Sequence, residues 1–371
     1  MSPADQVELS GFTRRQALRR GAGGLIGMGV AGTMLGALDS VAAAAGGGSL
    51  TGTLTLLTYP GWYGPNELTG FAKLHKGVTV KTAVSGTTGQ AAQIAQISTN
   101  PGAFDVTLAG VPVSSQLKLA GLLEPFDAAA VPDIKLVGST FRKNFPYGIP
   151  TDFGKTGFAY RKDLISERPT SWHELWNLAK KYSGKTTMIK YDSDIQGSAL
   201  RYLGYSVNTK VPAQLQAMQK ALLTIKPHLQ AILETDYSKA LIEGTAFMAI
   251  DYDYDIATAQ QHNKNIVWVA PTEGMAAYLE GWVALKGSKH LALDWELMNY
   301  HLAPKNYATF VNANGTAYCE SAAEPYILKS ITSNPSLRYS ASQLGRIEFE
   351  QYLGPAQTAN RGKLWEEFLA A

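Results

Sequence analysis

The 371 residues exceed the size at which one hydrophobic core usually keeps growing, so two lobes are expected, and 45% hydrophobic against 17% charged residues is a globular composition low in charge. The formal charge is +3; the first 45 residues carry four arginines, and beyond them 29 Lys and Arg meet 27 Asp and Glu, a balance with no basic stripe and no reason to invoke nucleic acid or an anionic membrane. The single cysteine, Cys319, excludes an internal disulfide and a cysteine-rich metal site, and reads as a small buried hydrophobe.

The chain opens with "SGFTRRQALRR", a glycine-rich and weakly apolar "GAGGLIGMGVAGTMLGAL", and "SVAAAA". A basic region, an apolar run and small residues before a cleavage point make a secretory signal over residues 1–45, and adjacent Arg14 and Arg15 fit its twin-arginine type. A membrane anchor is disfavoured, because the glycines lower hydrophobicity and the run is short for a bilayer core of ~30 Å. Cleavage near Ala43 to Ala45 would leave a soluble periplasmic or otherwise extracytoplasmic protein, with no membrane insertion and a flexible tail over residues 46–53.

Thereafter short β-rich runs alternate with helical stretches, the pattern of an α/β protein. "LTLLTY" (54–59) reads as a strand, "NELTGFAKLHK" (66–76) as a helix, "VTVKTAV" (78–84) as a strand, "QAAQIAQIST" as a helix and "FDVTLAG" (104–110) as a third strand. Proline and glycine in "FPYGIPTDFGKTGFAYR" (145–161) punctuate two extended segments. "TSWHELWNLAKKY" is a helix with Thr170 or Ser171 as N-cap, "TTMIKY" a strand and "GSALRYLGYS" a helix. Pro227 should end or kink the amphipathic "PAQLQAMQKALLTIKPHL". "AFMAIDY", "NIVWVAP" and "MAAYLEGWVALKG" (275–287) follow as strands, and "HLALDWELMNYHLAP" (290–304) as a helix.

The ordered set "IPTDFGKTGFAYRKDL…PTSWHELWN", "MIKYDSDIQGSALRYLGYS" and "IEGTAFMAIDYDYD" resembles the spermidine/putrescine-binding proteins of bacterial ABC importers, over roughly residues 54–330. The resemblance implies a two-lobed periplasmic-binding-protein-like α/β fold of type II, each lobe a mixed sheet flanked by helices. Crossing strands would join the lobes, and a ligand cleft would lie between them. On this plan residues 54–156 form lobe 1, 157–275 lobe 2, 276–323 a return to lobe 1, and 324–371 a C-terminal segment on lobe 2. It implies a monomer that captures a small amine and passes it to membrane ABC permease subunits, with no cofactor, no metal and no catalysis.

Carried over by position, "TYPGWYGPNEL" makes Tyr59 and Trp62 candidate cleft aromatics and Tyr63 a weaker one. "KYDSDIQG" matches an acidic turn and gives Asp192 and Asp194; "IDYDYD" gives Tyr252 with Asp251 or Asp253; "AAYLEGW" gives Tyr278 and Glu280. The chemistry of the residues agrees, since alkylammonium ends need carboxylates, and a methylene chain needs apolar or aromatic walls whose faces also attract cations.

Two features depart from the family: the crossover, and the acidic turn before "LGYS", which is shifted relative to the family's position for Asp192 and Asp194. "DFGKTG" puts Asp152 and Lys155 at the crossover, and Lys155 could hold a carboxylate, so a zwitterion such as an ω-amino acid or an opine-like compound is the second reading. Asp251, Asp253 and Asp255 would share one face of a continuing strand; otherwise the strand ends at Ile250 and Asp255 caps the helix "IATAQQH". Neither acidic cluster is an EF-hand: that loop needs glycine sixth and glutamate twelfth, where one cluster offers Ile256 and His262 and the other Gly197 and Leu203. "SGTTGQAAQ" lacks a Walker lysine, and a turn and helix cap is its simpler use. No nucleophile elbow and no paired histidines appear, so an exported hydrolase using cleft carboxylates is the remaining alternative.

Overall fold

The computed structural model describes residues 50–85 and 90–371. The twin-arginine signal, residues 46–49 of the expected tail, and residues 86–89 of the "SGTTG" turn lie outside the described residues. The chain divides into two compact units: unit 1 takes residues up to Thr151 with Glu280–Asn314 and Tyr318–Ile327, and unit 2 takes Asp152–Leu279, Gly315–Ala317 and Leu328–Ala371.

Strand β1 (Gly52–Thr58) buries Leu54, Leu56 and Leu57. It starts two residues before the expected strand, because Gly52 and Thr53 already pair with Val78 and Thr79; these two residues are therefore strand and not tail. Helix α1 (Glu67–Leu74) returns the chain to β2 (Val78–Val84), parallel to β1. Helix α2 (Gln90–Thr99) leads to β3 (Val106–Gly110), also parallel to β1, and α3 (Val111–Leu119) and α4 (Ser139–Asn144) follow.

The chain passes from unit 1 to unit 2 inside β4 (Ile149–Arg161), one strand and not two segments. Proline sits near its start, where a missing donor is tolerated, and its two glycines admit rings from far along the chain. A Cβ at Gly154 would collide with the Tyr278 ring, and one at Gly157 with the Trp268 indole.

Unit 2 continues with α5 (Trp172–Lys181), β5 (Thr186–Ile189), α6 (Asp192–Tyr202), α7 (Pro212–Ile225), β6 (Leu229–Leu233), α8 (Lys239–Glu243), β7 (Met248–Tyr252), α9 (Asp253–His262) and β8 (Ile266–Val269). Ser171 is the N-cap of α5: its hydroxyl accepts the Glu174 N–H, and the Glu174 carboxylate accepts the Thr170 N–H at 2.7 Å. Helix α7 stops at Ile225, just before Pro227, as a missing N–H requires. β5 lies parallel to β6 and β7, while β7 and β8 run antiparallel to β4.

β9 (Met275–Ala284) carries the chain back to unit 1, where it pairs antiparallel with β3; α10 (Leu291–Leu302) and α11 (Pro304–Asn314) follow. β10 (Ala317–Tyr318) leads on to the C-terminal part of unit 2, with α12 (Lys329–Thr332), α13 (Ala341–Leu344), β11 (Ile347–Phe349) parallel to β9, and α14 (Pro355–Ala370). The main unit boundaries fall at 151/152, 279/280 and 327/328, against 156/157, 275/276 and 323/324 on the sequence plan, and Gly315–Ala317 adds a short excursion into unit 2 that the plan lacks.

The core of unit 2 gathers Phe158, Trp172, Trp176, Met188 and Ile250 with Trp365 and Phe368 from α14. Trp172 is fully buried, edge-on to Trp176 at 6.1 Å between centroids, and its indole N–H donates to Gly274 O at 2.9 Å. Trp172→Ala would remove that volume and orphan the carbonyl, so unfolding in urea followed by far-UV circular dichroism should show a loss of about 3–5 kcal/mol.

Candidate functional site

In unit 2 several of the expected residues meet around one carboxylate. Asp194, in the first turn of α6, is 4% exposed; it accepts the Thr156 hydroxyl of β4 at 2.7 Å and the Tyr252 hydroxyl at the end of β7 at 2.7 Å. Burial first, and then the negative charge of Asp194, push the Tyr252 phenol well above its ordinary value, so it stays protonated and donates. The expected "acidic turn" is thus the start of a helix: Asp192 opens α6 and is exposed, while Asp194 points inward.

Rings surround this pair. Tyr252 stacks on Tyr254 of α9 (centroids 5.3 Å, 11° between planes) and meets Tyr191 (5.7 Å, 63°) and Tyr278 of β9 (5.8 Å, 81°) edge-on. Tyr252 is buried, whereas Tyr191, Tyr254 and Tyr278 are half-buried. Edge-on and offset pairs of this kind are the stable geometry of aromatic side chains.

A second acid belongs to this site and was missed in the sequence. Glu350 follows β11, and its N–H donates to Ala277 O at 3.0 Å. Burial, and next the negative charge of Asp194, push its carboxyl well above the ordinary carboxylate range; the Ser193 hydroxyl and the Arg361 guanidinium pull the other way. Arg361 itself donates to the Val207 and Thr209 carbonyls at 2.8 and 2.9 Å. The only signal in "RIEFEQYLG" was an acid next to a phenylalanine, which carries no motif.

The three alternate aspartates form a different arrangement. β7 ends at Tyr252 and α9 begins at Asp253, so they do not share a strand face, and Asp255 lies within the helix instead of capping it. Asp253 is fully buried with its carboxylate 2.6 Å from Lys155 Nζ. Lys155, 2% exposed, also donates to Leu337 O at 3.5 Å and lies over the Phe153 ring at 5.0 Å. That ion pair occupies the charge a ligand carboxylate would need, and it compensates the one Asp that has a cationic neighbour. Asp251 accepts the Tyr252 N–H at 2.8 Å and the Ser238 hydroxyl at 3.0 Å, yet burial pushes it up to about 7, with Asp253 adding repulsion. Asp255 is pushed well above the carboxylate range by burial and by Asp251 and Asp253. The neighbouring Asp152 is also buried and takes a 3.4 Å contact from the Thr316 hydroxyl.

The remaining candidates belong to unit 1. Tyr59, Pro60, Gly61 and Trp62 form a tight turn closed by the Trp62 N–H on Tyr59 O at 3.1 Å, with Gly61 at φ +77° where a type II turn requires it. Trp62 is 6% exposed and edge-on to Phe310 of α11 at 6.2 Å, while Tyr59 and Tyr63 are half-buried. Glu280 is buried in β9, opposite Gly110 of β3. Among the described residues no group of three or more His, Cys, Asp or Glu is placed to hold a metal ion, and no helix is long and apolar enough to cross a membrane.

The chain is similar to known solute-binding proteins. The curated putrescine/cadaverine-binding protein of Pseudomonas aeruginosa is 27% identical over 238 residues, covering 61% of this chain and 67% of that protein. The spermidine/putrescine-binding periplasmic protein of Salmonella typhimurium is 22% identical over 273 residues, covering 72% of this chain and 76% of that one. A crystal structure of a spermidine/putrescine ABC transporter substrate-binding protein from Streptococcus pneumoniae superposes with a TM-score of 0.77 at 20% identity, over 86% of this chain and 99% of that one, which shows the shared two-lobed type II α/β fold. The family model described as bacterial extracellular solute-binding protein matches residues 68–337, most of the sequence, and the chain belongs to that family, one of binding proteins and not of enzymes.

Proposed function

We propose that this protein captures a small polyamine of the putrescine or spermidine kind outside the cytoplasmic membrane and delivers it, as a monomer, to an ABC permease. Export would run through the twin-arginine leader at Arg14 and Arg15. The observation that carries the ligand assignment is the unit 2 cluster, where Asp194 and Glu350 share one neighbourhood with three half-buried tyrosine rings. Like charges held close in low dielectric repel, and an ammonium group relieves that repulsion while ring faces cover its methylene chain. The names of the curated relatives point to the same ligand class. In unit 1, Tyr59, Trp62 and Glu280 are proposed as further ligand contacts. Asp192, being exposed, would act through its field only.

The zwitterionic reading asks Lys155 to hold a ligand carboxylate, and the Asp253 pair argues against it. Asp251 and Asp253 are accordingly assigned to the buried network and Tyr252 to the cluster. No turnover is proposed, and the hydrolase reading has no supporting nucleophile.

In calorimetric titration with putrescine, Asp194→Asn should weaken binding about 10- to 100-fold, the loss of one charge-assisted hydrogen bond; an unchanged Kd would remove Asp194 from the site. A second expectation concerns pH. Burial and Asp194 hold the Glu350 carboxyl above the ordinary carboxylate range, and a bound ammonium favours its ionised form, so binding lowers that pKa, releases protons and gains affinity as pH rises. Log K should climb with pH above the ordinary carboxylate range, by up to about one unit per pH unit, and Glu350→Gln should flatten the curve; equal slopes in both proteins would contradict the assignment. The double variant Lys155→Met with Asp253→Asn removes both charges together and should leave putrescine affinity within about threefold, since neither partner is left buried alone. If instead 4-aminobutyrate binds the wild type and is lost in the double variant, the zwitterionic reading holds.

A further inference from the structure

Behind the loop that carries Tyr59 and Trp62, unit 1 buries an acid and a histidine that the binding scheme above does not use. The loop runs over residues 59–66, from the end of β1 to the start of α1. Asn66, at φ +60°, offers α1 no side-chain cap. Glu67 takes that role from inside the helix: its Oε2 accepts the Gly64 N–H at 2.5 Å, while its own N–H donates to Gly64 O at 3.0 Å. The other carboxylate oxygen, Oε1, lies 2.6 Å from Nδ1 of His301 on α10, and both side chains are fully shielded from solvent. An ionised carboxylate can only accept, so Nδ1 carries the proton and donates.

The imidazole is in turn held by aromatic contacts. It lies 4.3 Å from the Trp282 ring, 5.6 Å from Tyr307 and 5.3 Å from Phe310, and Phe310 is the ring that Trp62 meets edge-on. The loop also rests directly on α11, because a Cβ at Gly64 would run into the Thr309 hydroxyl and the Phe310 backbone. One glutamate therefore ties α10 to the loop backbone, and one phenylalanine ties His301 to Trp62.

We infer that Glu67 and His301 are positioning residues that fix the 59–66 loop in its binding conformation, so that affinity depends on two side chains that touch no ligand. The inference rests on the reading that Tyr59 and Trp62 meet the ligand. A loop with Gly61 and Gly64 samples many conformations when unanchored, and ordering it only on binding subtracts from affinity. A buried carboxylate with two partners, the loop amide of Gly64 and the imidazole of His301 on α10, is placed where that ordering can be built in beforehand.

The test uses the whole mature chain and two readouts, amide hydrogen exchange and putrescine titration. Glu67→Ala loses both anchors; Glu67→Gln keeps one acceptor oxygen; His301→Phe keeps the ring packing and loses the donor. Exchange over residues 59–66 should quicken at least 10-fold in Glu67→Ala while β1 and α10 keep their protection, and Kd should weaken at least 10-fold, with Glu67→Gln restoring part of both. If Glu67→Ala does not fold, the other two variants carry the same readouts. Unchanged loop exchange, or a uniform acceleration across unit 1, overturns the inference, as does a loosened loop with unchanged Kd. Should the wild type bind none of putrescine, cadaverine and spermidine, the ligand reading fails separately, and loop exchange alone decides whether Glu67 anchors the loop.

Discussion

A carboxylate taken out of water must find donors, find a cation, or take up a proton, and the buried acids around the candidate site divide among those routes. Asp194 is met by two hydroxyls, Asp253 by Lys155, and Glu67 by a backbone amide and an imidazole. Burial raises the pKa of all three clustered aspartates; Lys155 pulls Asp253 back, whereas Asp251 and Asp255 have no such cation. The strand ends of unit 2 are arranged around these requirements: β4 supplies Thr156 and Lys155, β7 supplies Tyr252, and the first turns of α6 and α9 supply the acids, where helix N-termini favour negative charge.

The routes differ in what they leave for a ligand. An acid neutralised by a buried lysine has no use for a second cation, since binding one would have to break a 2.6 Å pair in low dielectric. Asp194 and Glu350 differ, because hydroxyl donors stabilise a carboxylate without cancelling its charge, and each raises the cost of ionising the other. A polyamine brings the missing positive charge and a flexible apolar chain together, the pair of properties that an acid next to half-buried tyrosine faces is fitted to receive.

Local chemistry was legible in the sequence and distant chemistry was not. The N-cap at Ser171 and the stop before Pro227 follow from residues within one turn of the element they end. β4 was read as two segments because Gly154 and Gly157 look like breaks until the Tyr278 and Trp268 rings that need the space are known. An ordered resemblance proposes Asp194, Tyr252 and Tyr278 as ligand residues, and the structure adds that Tyr252 touches both of the others. Lys155 was visible as a departure from the family pattern, but its partner lies in the "DYDYD" stretch nearly a hundred residues on, and no pattern links the two. Glu350 and the pairing of Glu67 with His301 left no mark at all, because single acids and histidines have no period.

That difference explains why three aspartates on alternate positions looked like the ligand site while a single aspartate in α6 fits the part better. Alternation suggested a shared face, but the strand stops at Tyr252: Asp251, still in the strand, meets Ser238, and the turn into α9 sends Asp253 to Lys155. What remains of the stretch in the candidate site is its tyrosines: Tyr252 reaches Asp194, and Tyr254 stacks on it. The carboxylates on either side fix where those rings stand. Lys155 offsets the charge of Asp253 and burial disfavours ionisation of Asp251 and Asp255, which leaves Asp194, held by two hydroxyls, as the acid next to the rings.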